Sequence, residues 1–290
     1  MSNQNVPAYQ QLLAATDAIG EVWRAARGQL QPALEHALAG MLAALDLPKG
    51  SIYLYSPQMH NLTLSATIPS NGILANQATL LQLTSNQTSL PVLAAVTRLP
   101  ATGNWGLETH PASPNSLALP LLAGARLLGV IQVACSPGRR LSEQHHSELN
   151  ALAERLADAI DYAQIASVTR SEQERTRALV DASNDAIMML DSGGTATMIN
   201  RRAKYFFGLA ERDVIGRSPA QLRAMFQLIF EDSATFDAWL APLLNSNDER
   251  AVLELKVLRA EPRLLQCFTA PVLDSQDRLL GRMLVFRDIT

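Results

Sequence analysis

Metal or covalent chemistry in this chain would have to be built from two cysteines and five histidines. Cys135 and Cys267 lie far apart and neither belongs to a Cys-x-x-Cys pair, so the sequence indicates neither a disulfide framework nor a cysteine-based zinc site. His145 and His146 open a helical stretch together with Glu148. Neighbouring side chains on a helix point about 100° apart, so the two histidines cannot readily share one ion, whereas His145 and Glu148 face the same way. A solvated helix face is the plainer reading of that group, and no metal site is assigned. His60 and His110 fall in turn-like stretches without partners at ligand spacing. No Gly-x-Ser-x-Gly, His-Glu-x-x-His or phosphate-loop motif occurs. The run from Gly124 to Gly129 sits inside a hydrophobic hairpin and cradles no phosphate. The remaining chemistry is non-covalent binding. Candidate pocket residues are Tyr53, Tyr55, Trp105 and Gln132 in the first half, and Tyr205, Phe226, Phe230 and Phe268 in the second. The plainer alternative is that these groups fill two cores.

The elements that must position them alternate in period. Residues 19–45 carry apolar residues three and four apart, which predicts two helices. "SIYLYS" is rich in strand-forming residues, "NLTLSATI" alternates, and the two read as a hairpin over 51–68. Residues 69–115 are less regular, with a short helix expected in 88–99 and a Pro/Gly/Ser/Asn-rich loop after it. "SLALPLL" and "LLGVIQVAC" make a second, strongly hydrophobic hairpin. From Glu143 the pattern is helical to residue 182, with neither Pro nor Gly in 139–182, a span of roughly 60 Å at 1.5 Å per residue. Its apolar seam runs Leu149, Leu152, Leu156, Ala159, Ala163, Ala166 and then meets Arg170, Gln173 and Arg177. Beyond it, "DAIMMLD" and "TATMIN" flank a Ser-Gly-Gly turn. Short helical turns follow over 201–216, two amphipathic helices over 218–245, and three strands within 251–289.

The 290 residues are 48% hydrophobic and 18% charged with a net charge of −3. Such a chain can fill two cores. It lacks the basic surface that nucleic acid or an anionic membrane would require. No basic, then apolar, leader opens the sequence, and no run of about 18 apolar residues could span a membrane. The expectation is a cytoplasmic α+β protein. Each of its two modules has an antiparallel sheet flanked by helices, and a long helix joins them.

The second half resembles a PAS domain through an ordered series of matches. "LVDASNDAIMMLDSGGTATMIN" looks like the first hairpin. "NRRAKYFFG" carries Asn200, Ala203 and Gly208 at the family's spacing, and Gly216 stands where a helix usually starts. "APVLDSQDRLLGRMLVFRDIT" looks like the last two strands, closing on Asp288-Ile289-Thr290. The first half resembles a GAF domain, through "LALPLLAGARLLGVIQVA" followed by the long helix. These resemblances imply a 1–28 N-terminal helix, a GAF-like sensor over 29–166, a helical linker over 167–177 and a PAS-like sensor over 178–290.

They also imply which cofactors to weigh. A bilin on Cys135 would want a neighbouring histidine, and Ser136-Pro137 follow instead. A flavin photoreceptor would want a cysteine in the helix after Asn200, and "NRRAKYFF" has none. Haem would want an axial ligand, most often histidine, and 170–290 contain none; Met225 and Cys267 remain as formal candidates. No support for haem, flavin or covalent bilin emerges, and the cofactor is unknown. The resemblance implies a sensory segment without catalysis of its own. Leu149, Leu152, Leu156, Asp288 and Thr290 are its relay residues, a homodimer formed along the helix is expected, and the output domain is expected beyond Thr290. A histidine kinase of a two-component system is first among the outputs. The helix seam could instead pack on its own sheet. Both modules could be ligand-free dimerisation and spacing units, or an unrecognised catalytic cleft could exist.

Overall fold

The computed structural model describes residues 5–25, 30–69, 80–83, 89–103, 115–136, 139–244, 246, 250–258 and 262–290, with the backbone alone for 5–11. Contacts divide the chain into two compact units, Met1–Arg170 and Ser171–Thr290.

The first unit opens with helices α1 (Asn5–Arg24) and α2 (Leu30–Ala44). The hairpin β1 (Lys49–Ser56) and β2 (Asn61–Ile68) follows as its alternation demands. Two three-residue strands, β3 (Leu80–Gln82) and β4 (Ala101–Gly103), bracket helix α3 (Leu90–Thr97). The hydrophobic hairpin β5 (Ser116–Ala123) and β6 (Arg126–Ala134) turns at Gly124, whose φ of +57° suits a residue without Cβ. The sheet order is β3-β2-β1-β6-β5-β4. Alternation along β5 splits its side chains. Leu117, Leu119 and Leu121 enter the core shared with the helices, and Ala118 enters a smaller cluster under α3. Gly129 of β6 is required where the strands crowd, since a Cβ there would lie 2.1 Å from the Tyr53 carbonyl oxygen.

Helix α4 (Glu143–Asp181) is one uninterrupted element of 39 residues. Its first half closes the main core, with Leu149, Leu152, Leu156 and Ile160 buried against α1, α2 and the sheet. The seam up to Ala163 is therefore consumed within its own module, as an amphipathic helix on a sheet should be. The expectation that these leucines pair with a second chain is corrected on that ground. After Ala163 the helix is mostly exposed until its last turn.

The second unit contains β7 (Ala186–Asp191), β8 (Ala196–Ile199), the short helices α5 (Arg201–Phe207), α6 (Glu211–Val214) and α7 (Pro219–Phe226), then α8 (Ser233–Leu243) and strands β9 (Ala251–Val257), β10 (Arg263–Leu273) and β11 (Leu279–Asp288). The sheet order is β8-β7-β11-β10-β9. The chain is thus α+β, with two antiparallel sheets flanked by helices and α4 linking them. The helix expected over 218–230 stops at Phe226 and continues as turns that carry Phe230 into the core.

Candidate functional site

In the first unit a cavity of about 320 Å³ opens where β1 ends, β6 begins and α3 stops. Tyr55, Val96, Arg98, Arg126, Leu127 and Gln164 line it. Each arrives for a local reason. Tyr55 is the penultimate residue of β1 and its hydroxyl lies 3.0 Å from His60 Nδ1. Arg98 caps α3 in the left-handed conformation, and its backbone N–H donates to the Ala94 carbonyl. Arg126 follows the β5–β6 turn and pairs with Asp161 of α4. Gln164 lies just beyond the last buried turn of that helix.

The other candidates of the first half have different surroundings. Tyr53 is buried beneath α3, and burial pushes its hydroxyl pKa up to about 12. Gln132 is buried, and its amide donates to Ser116 Oγ at 3.1 Å, so its polar head is committed to the β5–β6 pair. Trp105 and His110 lie outside the described residues.

The second-half candidates divide. Phe226 and Phe230 stack on one another with centroids 5.2 Å apart, and both meet Phe236. Phe207, Phe230 and Phe286 extend the cluster. Such ring pairs at these distances are packed core. Tyr205 is 63% exposed and stands outside it. Phe268 is half-buried on the outer face of β10, because Cys267 and Thr269 take the inner face. Burial holds the Cys267 thiol far above its ordinary pKa, so it is inert. Among the described residues no three His, Cys, Asp or Glu side chains converge on a metal position.

The joint between α4 and the second sheet is built around Asn200. Its Oδ1 accepts from Ile187 N–H at 2.9 Å and from Ala203 N–H, capping α5. Its Nδ2 donates to the carbonyls of Val180 and Asp185 at 3.1 and 2.9 Å. One buried side chain therefore holds the end of α4, the start of β7 and the start of α5. Asp181 adds an acceptor for Arg201 N–H at 2.7 Å, and Arg177 reaches Glu211 at 2.7 Å. A groove of about 670 Å³ runs along these turns. Within it Arg177 already engages Asp181, and its lining has no large apolar side chain among the described residues to hold a small molecule.

At the other end of the module, Asp288 accepts from Thr290 N–H at 3.0 Å and from Arg263 at 2.6 Å. Thr290 Oγ1 in turn accepts from Leu264 N–H. Hydrogen bonds from Thr290, then from Arg263, hold the Asp288 carboxyl down at about 2. Sequence reading missed two features. One is Arg126, whose pairing with Asp161 no spacing rule reveals. The other is Arg282, fully buried in β11 and donating to the Ser246 carbonyl at 2.6 Å.

Residues 174–289 match the family model of the PAS fold. Three solved structures are similar to parts of the chain. The GAF domain of an Acinetobacter phosphoenolpyruvate-protein phosphotransferase is 20% identical over 57% of this chain and 98% of its own, with a TM-score of 0.41. The corresponding GAF domain from Coxiella burnetii is 16% identical over 54% and 98%, with 0.42. The PAS domain of an HTR-like protein from Haloarcula marismortui is 23% identical over 43% and 98%, with 0.34. No curated protein matches the chain.

Asn200→Ala should destabilise the second module by about 2–4 kcal/mol, since it removes a cap and strands buried partners. Urea unfolding of that module, with faster amide exchange at Ile187 and Ala203, checks it. Asp288 has a folded pKa below the ordinary carboxylate value of about 3.9. Its stabilisation is therefore present above about pH 4 and disappears as pH falls through about 2. A carbon-detected NMR titration of the Asp288 carboxyl should show a midpoint near 2, and Thr290→Ala should raise it.

Proposed function

We propose that this chain is the sensory input segment of a bacterial signal-transduction protein, with no catalysis of its own. A small ligand or partner biases packing in the first module and α4 carries that bias to the second. The strand ending at Asp288–Thr290 then hands it to an output domain beyond Thr290. A histidine kinase of a two-component system is the leading output, and the working compartment is the cytoplasm. The division of labour is a GAF-like sensor over 29–166 preceded by the 1–28 helix, a linker over 167–177 and a PAS-like sensor over 178–290.

The continuity of α4 carries this reading. One helix buries Leu149, Leu152 and Leu156 in the first core, borders a cavity at Gln164, and ends in hydrogen bonds to Asn200 and Arg201. Any displacement of its axis in one module has a route to the other. Relay still requires that a ligand bind two states unequally.

A homodimer follows from a different face than the buried seam. Ile165, Val168 and Leu179 are 55%, 64% and 69% exposed on α4. With Glu172 and Arg175 they fall on one stripe at spacings of three and four, the pattern of a helix partner. The second reading, a ligand-free dimerisation and spacing unit, is favoured by the ring packing around Phe226 and Phe230, which occupies the centre of the second module.

Sedimentation of the 290-residue chain at tens of micromolar should give a dimer, and Val168→Glu with Leu179→Glu should give a folded monomer. A strict monomer for the parent chain contradicts the dimer. A thermal-shift screen with metabolites separates the readings. Stabilisation of the first module supports sensing, and uniform silence supports the spacer.

A further inference from the structure

The cavity of the first module is asymmetric in charge. Ala95 and Leu127 are buried at its apolar floor, and Val96 stands exposed at its rim. Its polar lining is the Tyr55 hydroxyl, the Gln164 amide and the guanidinium groups of Arg98 and Arg126, and no acidic side chain lines it among the described residues. Arg126 is paired with Asp161. Arg98 is exposed and has no ion-pair partner among the described residues. The site thus offers one uncompensated cation, a second cation already engaged, two uncharged hydrogen-bonding groups and an apolar wall. Guanidinium groups match the planar geometry of a carboxylate. A volume of about 320 Å³ lies at the small end of ligand sites.

Building on the ligand-binding reading above, we infer that this cavity binds a small monocarboxylate with a short apolar body. The carboxylate meets Arg98 and the apolar part rests on Val96 and Leu127. The Arg126–Asp161 pair gives occupancy a way to reach the helix. A bound anion offers Arg126 a second acceptor in competition with Asp161, which stands on α4 three residues before Gln164. Binding therefore loosens the tie between β6 and α4 at the point where the helix leaves its core. A dianion would need a second free cation that the site does not offer among the described residues.

The test uses the whole 290-residue chain at constant ionic strength, with benzoate and hexanoate as probes and benzamide and hexanamide as uncharged controls. Methyl resonances of Val96 and Leu127 should move saturably with the acids, and the amides should bind about tenfold more weakly or worse. Arg98→Gln should lose about the same factor while keeping the parent melting temperature. Val96→Trp, which fills the cavity, provides a second variant should Arg98→Gln misfold. Arg126→Gln should abolish any acid-dependent change in amide exchange at Asp161–Gln164. Amides that bind as tightly as the acids, or an Arg98→Gln protein that binds the acids normally, would overturn the anion assignment and leave a ligand pocket standing. Methyl resonances unmoved by all four probes would overturn both.

Discussion

Helix α4 must be buried at its start, solvated in its middle and tied down at its end, and the rest of the chain is arranged around that requirement. Between Glu143 and Ala163 it has an apolar stripe for the first core to cover. Beyond Ala163 the stripe meets Arg170, Gln173 and Arg177, and no core takes it up. An isolated helical stretch of this length is marginal in water, because nucleation costs more than a few backbone bonds return. It persists here because both ends are nucleated elsewhere, and because Gln, Glu, Arg and Ala through the middle are good helix formers. Proline and glycine are absent throughout 139–182.

The second module shows how such a helix can be made to matter. Asn200 satisfies the last turn of α4, the Ile187 N–H near the start of β7 and the cap of α5 at once. Arg287 of β11 reaches back to Asp185 at 3.1 Å, and Phe286 pairs with Ala186 in the ladder. Strand β11 therefore lies beside the segment through which α4 enters the module. An exposed pair such as Arg287–Asp185 contributes little by itself. Its value here is geometric, since it ties the two ends of the module across neighbouring strands.

Much of the architecture was legible because it rests on period. Alternation marked the first hairpin of the first module, continuous hydrophobicity marked the second, and the three-four spacing from Leu149 to Ala163 marked the buried half of α4. Asn200, Ala203 and Gly208 were recognisable as a set, and the fold gives each a cause. Asn200 caps α5, Ala203 is fully buried, and Gly208 ends the helix at φ +70°. The site residues were harder. Tyr205 and Phe206 are adjacent on a seven-residue helix, too short for periodicity to show which one faces inward, and Phe206 does. Phe268 could have been placed outside from its alternation with Cys267. Strands β3 and β4 are three residues each, below the length at which a period can be read. Arg282 reads as a surface charge, and its burial depends on the Ser246 carbonyl that folding brings to it. Arg98 and Arg126 come together only through the topology of sheet and helix, which local sequence does not encode.

The central claim is that α4 is one continuous helix joining the two modules. Amide hydrogen exchange across residues 164–177 of the whole chain tests it most directly, because these N–H groups have no sheet or core to protect them if the helix melts. The account predicts slowed exchange running without a gap from the Leu156 turn to the Val180 turn. Free-chain exchange between residues 166 and 176, with both cores still protected, would contradict it and leave two modules on a flexible tether.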